Sequence, residues 1–541
     1  MPLERVHGIN PFRATGVSGD RVSQEFAGEE PSGNSLGRVV MLVGNFIDGD
    51  SRVQKQARSA AAAGWQTFLV GRSPSGQREE YPLGQATVIR AAEVMTATRY
   101  RSSHPRRGLS GVIAYRSREV SKVKHRRQRM RQENSAIERM RLGRQLESGS
   151  INPVVAAALR SDFAVRAVAT RGLGYWVAAR KQAFDRNVAR SKADPNSGLR
   201  LLLARIGGDS PAWDAQPRLV DFEDSFGPLI DELEPDIIHA NDADTLGVAA
   251  RALIRARAKG RDVKLIYDAH EFFPGEIRHG DASWHVVMAG EERRYLPLVD
   301  GVCAAADRIA AAMADCYHLS TVPTVVNNMP ERSTLVGTVD ATSGVRGDLK
   351  LDPDVPLIVH AGMVAPVRGL DTIVRALADP ALSHAHFAML VGSRQGYVAD
   401  LVRLAESLGC GERLHLLDYV PVQELTAYLA TATVGVEPFL HTPHQELTVT
   451  TKFWSYLNAR LPIVVSDVKA MSAIVAEMGN GEVFAAGDAQ SAAEALRKVF
   501  DDRKRYTHAY EATGSDATQF TWETQVERML ALYQAVNHVK P

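Results

Sequence analysis

The 541-residue chain is 45% hydrophobic and 23% charged, with a formal net charge of +1, the balance of a soluble globular protein too long for a single core. Its three cysteines, Cys303, Cys316 and Cys410, exclude a disulfide framework, and none has metal-ligand spacing. No run approaches the roughly 20 apolar residues of a membrane span, and the first 37 residues, 13 of them Gly, Pro or Ser, contain no apolar stretch, so 1–37 reads as a disordered leader and the chain as cytoplasmic.

Residues 38–44 (RVVMLVG) form a short apolar run ending in Gly, the pattern of a buried parallel strand that opens into a loop. A helix is predicted from Asp50 or Ser51 to Gly64, and 66–71 is the next strand, which together make one βαβ unit. The rhythm resumes with strands at 235–240, 264–270, 299–304 and 324–327 and helices at 244–258 and 307–317. A second alternating series has strands at 356–362, 387–391, 414–417, 434–437, 463–465 and 483–485. Two blocks of βα alternation predict an α/β protein of two Rossmann-like, doubly wound parallel-sheet domains. The expected boundaries are 38–330 and 356–515, with a linker at 331–355 and a closing helix within 516–541 that returns toward the first domain.

The segment 96–218 breaks this rhythm and reads as a helical insertion in the first domain. It holds 26 Lys/Arg against 9 Asp/Glu, a net of +17, which leaves −16 on the remainder. Between Arg99 and Arg131 there are twelve basic residues and one acid, Glu119. Val123, Met130 and Ile137, with Val120 beside them, recur as a narrow apolar seam on this basic helix. A second helical stretch runs from about Val154 to Val188. A basic helix with an apolar seam points to an anionic membrane surface, contacted through 99–131. Nucleic acid is not expected, because few aromatics accompany the charge.

In open α/β sheets, ligands sit beyond the carboxyl ends of the strands. In the second block those positions include Gly362 to Arg368, Gly392, Tyr419 and Val420, and the Thr-rich turn 448–451 that leads into a helix. Backbone N–H groups at that helix start, with Thr450 or Thr451 as cap, suit a diphosphate, and Arg368 suits its charge.

The order of these motifs resembles one family, the retaining GT-B glycosyltransferases of family 4. Asp50-Ser-Arg-Val53 is similar to the family opening, 235–240 (PDIIHA) to its "P-D-V-V-H-A", and Tyr267-Asp-Ala-His-Glu271 to its strand-end "H-E". Further on, 362–369 (GMVAPVRG) resembles "G-R-x-x-x-x-K-G", and 452–467 resembles "K-x-x-E-Y…P-V-V-x-S-D". The resemblance spans about 38–95 and 219–535 and implies transfer of a hexose-like sugar from a nucleotide diphosphate sugar to a lipid-linked or polysaccharide acceptor. That would place the enzyme in cell-envelope or exopolysaccharide synthesis, peripheral at the inner face of the plasma membrane, with no metal and no cofactor beyond the nucleotide sugar.

The resemblance assigns His270 to the transferred sugar, as the catalytic-site residue. It assigns Gly362, Arg368, Gly392, Tyr419, Val420, Glu446, Leu447, Thr450, Thr451 and Ser455 to the donor, and Gly44, Asn45, Asp50, Arg52 and Glu271 to the acceptor. Three positions depart from the pattern: the family's phosphate-binding Arg is Met363, and its paired glutamates fall on Leu447 and Ser455. Ser can make only part of the ribose contact that Glu makes. The alternative is therefore a catalytically degenerate GT-B protein that binds a partner transferase or a glycan; a GT-B epimerase is a third reading, less favoured by the C-terminal motifs.

Overall fold

A computed structural model describes residues 36–103, 117–190, 216–276, 284–334, 343–512 and 517–538, together with Tyr115 and Trp213. Most of the leader, part of the 99–131 segment and the centre of the linker lie outside the described residues. Leu36 and Gly37 already belong to the folded part, because Leu36 N–H donates to Gly64 O and Gln66 N–H to Gly37 O.

The first sheet contains β1 (Arg38–Leu42), β2 (Gln66–Arg72), β3 (Glu79–Leu83), β4 (Ala86–Ala91), β5 (Ile237–Asn241), β6 (Lys264–Ala269), β7 (Gly301–Ala304) and β8 (Thr324–Val325). Their order is β3-β4-β2-β1-β5-β6-β7-β8. All neighbours are parallel except β3 and β4, an antiparallel edge hairpin that the sequence reading passed over. β3 reads Glu-Glu-Tyr-Pro-Leu, and its charges and Pro82 are features that keep an edge strand from pairing further. The second sheet has β9 (Leu357–Ala361), β10 (His386–Leu390), β11 (Leu414–Leu417), β12 (Val434–Glu437), β13 (Ile463–Ser466) and β14 (Gly481–Phe484). It is wholly parallel, in the order β11-β10-β9-β12-β13-β14. The central strands β1, β5, β6 and β9 are almost wholly buried and mostly apolar, as strands covered on both faces must be, with polar residues such as Asn241 and Asp268 toward the carboxyl ends of β5 and β6.

Four helices are named here: α1 (Ser51–Ala62), α2 (Thr96–Ser103), α3 (Arg118–Glu147) and α4 (Pro153–Arg190). Asp50 caps α1 by accepting Val53 N–H, and Ser117 caps α3 through Val120 N–H. The seam on α3 is real but faces inward. Val120, Val123, Met130 and Ile137 are buried, Val123 and Met130 beside Trp213, Leu219 and Val220, and Ile137 in the core of the first sheet. Several of its cations are also engaged by protein: Arg126 pairs with Asp224, and Arg127 donates to Trp213 O. The sequence pattern identified an apolar stripe but not what covers it, and the expected lipid contact through that seam is corrected here: the protein's own core takes it.

Most of the described linker is built into the second lobe. Arg346, on the short helix Gly344–Leu349, donates to the carbonyls of Thr431, Asp352 and Val355. The closing helix Trp522–His538 packs on the first sheet instead. Trp522 Nε1–H donates to Ser59 Oγ, Tyr533 hydrogen-bonds His239, and Trp522, Met529 and Tyr533 join the cluster formed by Val39, Met41 and Val53.

Candidate functional site

The carboxyl ends of the two sheets face one another across a cleft. Two adjoining cavities occupy it, of 780 Å³ and 310 Å³, sharing Ala361, Gly362, Met363, Thr451 and Lys452 in their walls. The larger runs from α1 (Ser51, Lys55, Arg58) to Tyr419, Val420 and Ser455. The smaller is walled by His270, Glu271, Arg368, Glu437 and the turn 448–451. The two lobes touch at its rim, where His444 Nε2 lies 2.6 Å from Glu271 Oε2 and Asn328 Nδ2 donates to Thr451 Oγ1 at 3.1 Å.

His270 ends β6 and sits between two carboxylates. Its Nδ1 is 3.3 Å from Asp242 Oδ2, and its Nε2 is 3.3 Å from Asp268 Oδ2. Burial alone would lower its pKa, but the two aspartates overcome this and hold it well above the usual value, which favours the imidazolium form. Asp242 adopts φ 62° and ψ 160°, a region that almost only glycine enters, and this strained backbone places its carboxylate against both the ring and the His270 N–H. The sequence reading did not single out Asp242.

Arg52, assigned to the acceptor by the resemblance, lines the smaller cavity and is also engaged within the protein. Its guanidinium donates to both oxygens of Asp268, at 2.8 and 2.7 Å, and to Val326 O. Gln56 donates to the same carboxylate. Burial would raise the Asp268 pKa, but Arg52 and His270 keep it well below the usual range. Arg52 therefore ties α1 to β6 and holds the aspartate that charges His270. Asp50 lines the smaller cavity while capping α1 and accepting from Asn45 Nδ2. Gly44 and Asn45 line neither cavity. A side chain at 44 would meet Asp244 Oδ2 at 2.4 Å, which explains the glycine by packing.

Arg368 and Lys452 bring positive charge to the donor side. Arg368 lies over the Phe439 ring, 4.2 Å from its centroid. Lys452 is the second residue of the helix Thr451–Asn458 and lines both cavities. Neither cation has a carboxylate within ion-pairing distance among the described residues. Burial lowers the pKa of both, with Glu437 opposing. Glu437 ends β12; burial pushes its carboxyl up to about 7 despite Arg368, the Thr450 hydroxyl and Lys452. Lys452 was quoted within a motif yet passed over as a site residue, although its type and its place in the first helical turn were the available signal.

Thr450 caps this helix, accepting Phe453 N–H at 3.0 Å and donating to Glu437 Oε1 at 2.7 Å. Both threonine hydroxyls at 450 and 451 are thus engaged within the protein, and what the helix start offers a ligand is backbone N–H. Gly362 has φ 144° and Gly369 φ 63°, and a Cβ at 369 would lie 2.1 Å from Pro438 O, so the loop bearing Arg368 requires glycine at both ends.

The remaining assignments divide. Ser455, Tyr419 and Val420 line the larger cavity, and Tyr419 OH reaches Gly362 O at 3.4 Å. Gly392 underlies Tyr419, whose ring is 2.9 Å from where a Cβ would stand. Glu446 lines neither cavity; it pairs with His441 and accepts Lys469 N–H at 3.0 Å, capping the next helix. Leu447 packs against the core of the first lobe instead of lining either cavity. Lys55, also missed, lies 4.8 Å over the Trp522 ring, and burial lowers it to about 7. Among the described residues, no group of three or more His, Cys, Asp or Glu is gathered as for a metal.

Two family models account for the two lobes: "Glycosyltransferase Family 4" matches residues 185–329, and "Glycosyl transferases group 1" matches 355–502. This chain belongs to the GT-B glycosyltransferases. The transferase is 27% identical over 342 residues to D-inositol 3-phosphate glycosyltransferase 1 of Catenulispora acidiphila, covering 59% of this chain and 77% of the relative. It is 26% identical over 280 residues to the D-inositol 3-phosphate glycosyltransferase of Thermobifida fusca, covering 48% and 61%. Among solved structures, its fold matches sucrose-phosphate synthase from Thermosynechococcus elongatus with a TM-score of 0.59 at 13% identity, over 93% of this chain and 100% of that one. Anabaena HepE in complex with UDP-glucose matches with a TM-score of 0.54 at 12% identity, over 92% and 100%.

Proposed function

We propose that this transferase moves a hexose-like unit, with retention of configuration, from a nucleotide diphosphate sugar to a lipid-linked or polysaccharide acceptor of the cell envelope. The observation that carries the reading is the convergence of His270, Arg368, Lys452 and a helix N-terminus on one cavity between two α/β lobes. Such an array suits a departing diphosphate: it stabilises the charge that builds on the leaving group and needs no metal to do so. Every carboxylate in that cavity already has a protein partner. Asp50 holds Asn45 and the α1 cap, Glu271 holds His444, and Glu437 holds Thr450. This favours a transfer in which the diphosphate itself helps deprotonate the acceptor and the protein contributes position and charge.

Titration calorimetry with UDP, GDP, ADP and their sugars tests the reading. One nucleotide should bind, and at a ligand concentration 100-fold above Kd it should stabilise the fold by about 2.7 kcal/mol. NMR of the product then reports anomeric configuration. Met363, Leu447 and Ser455 favour a second reading, a degenerate GT-B protein acting as a partner or glycan-binding subunit. It becomes the better one if no nucleotide binds.

A further inference from the structure

α4 packs one face on α3 and leaves the opposite face open. At about 100° per residue, an arc of roughly 140° along α4 carries no charged residue from Val154 to Ala179, a length of about 37 Å. Val154, Val165, Val168 and Tyr175 on this arc are 76%, 69%, 66% and 80% exposed, with alanines, Ser161 and Gly172 among them. An uninterrupted apolar face of this length is unusual on a water-facing helix. Among the described residues nothing covers it.

The edges of the arc indicate its occupant. Arg160 and Arg171 flank one side, and Arg166 the other, with Arg180 beyond it stacked 4.5 Å over the Tyr115 ring. The one acid at the borders, Asp162, is already paired with Arg166 at 2.7 Å. A second copy docked face to face would set arginine rows against one another. An anionic lipid surface would accept them, with the valines and Tyr175 at the acyl boundary and the guanidinium groups at the headgroups. The sign of the segment agrees: 96–218 carries +17 in sequence and the remainder −16.

We propose that the outer face of α4 is a docking surface for an anionic lipid bilayer. The choice of lipid over other anions rests on the lipid-linked acceptor proposed above. α3, anchored to the core by its seam, supports α4 from another face, where Gln128 Nε2 donates to Thr170 O at 2.6 Å.

The test is cosedimentation of the full chain with phosphatidylcholine vesicles, with and without phosphatidylglycerol, at low and high salt. Binding is expected only to the anionic vesicles and should weaken with salt. Val165→Asp with Val168→Asp should abolish it. Arg160→Gln with Arg171→Gln should lower the partition roughly 30-fold, from about 1 kcal/mol per basic residue near an anionic surface. Because these side chains are exposed, circular dichroism and nucleotide binding should match the wild type. Nucleotide binding reports on the transferase reading separately, so loss of one leaves the other standing. The proposal is overturned if the protein ignores anionic vesicles, binds neutral ones equally, or binds undiminished with both valines replaced. It is also overturned if light scattering shows a wild-type dimer that those replacements convert to monomer, which would assign the face to a second copy.

Discussion

Replacing Lys452 with Met keeps the length and apolar stem of the side chain and removes its charge. Without ligand, the ammonium is a poor component of the fold: burial lowers its pKa, and Glu437 offsets that only in part. Its removal should therefore leave thermal stability unchanged or slightly raised. A bound diphosphate reverses the balance. At an effective dielectric of about 20, a cation 4 Å from one negative oxygen gains ~4 kcal/mol before desolvation, and charge-assisted hydrogen bonds contribute ~1.5–3 kcal/mol net. Lys452→Met should then weaken nucleotide diphosphate binding by roughly 10- to 150-fold in titration calorimetry. Met363 lines the same cavities, where the resemblance expects Arg. Met363→Arg in the Lys452→Met background should recover part of the loss, because the deficit is one of charge. If Lys452→Met binds within twofold of the wild type, the ammonium does not face the diphosphate and the argument from its unpaired state fails.

The same cavity gives a pH dependence. Glu437 is neutral below about 7 and charged above it, so rising pH places a negative charge beside Arg368 and Lys452 and should weaken binding of a nucleotide sugar, whose diester phosphates do not titrate there. Glu437→Gln should flatten that profile; an equally steep profile in the variant would assign it to another group. Asp268→Asn leaves Arg52 buried without its counter-charge and should cost ~3–5 kcal/mol in urea denaturation, and a loss below about 1 kcal/mol would show that Val326 O and water suffice for the guanidinium. Ser455→Glu restores the carboxylate of the family pattern and should keep or tighten nucleotide binding; loss of binding with the fold intact would favour the degenerate reading.

The α/β alternation was legible because strands buried on both faces must be apolar and short, and the predicted run at 434–437 coincides with the buried β12. β3 was not legible, since an edge strand is written in residues that resist pairing. At the site, local pattern marked the loop ending at Arg368, because glycines and a strand end are local facts, whereas His270 was marked by the family resemblance. The structural part of Arg52 was not legible, because its partner, Asp268, is 216 residues away. Glu446 lies outside both cavities and caps a helix, a role that asks for the same carboxylate as a ribose ligand. The α3 seam shows the same limit: periodicity reveals a stripe, and only packing reveals whether water, lipid or Trp213 lies against it.

The closing helix has a consequence for how this protein is made. Trp522, Met529 and Tyr533 are buried in the core of the first lobe with Val39 and Met41, so that core draws on both ends of the chain. The second lobe, by contrast, draws its sheet from one continuous stretch, 357–484. On the ribosome the order of completion is therefore inverted. The lobe synthesised second has all its strands while the first still lacks a wall, and β1, β5 and β6 wait with a bare face until the final turns emerge. Truncating the last twenty residues would thus injure the half of the molecule that was translated first.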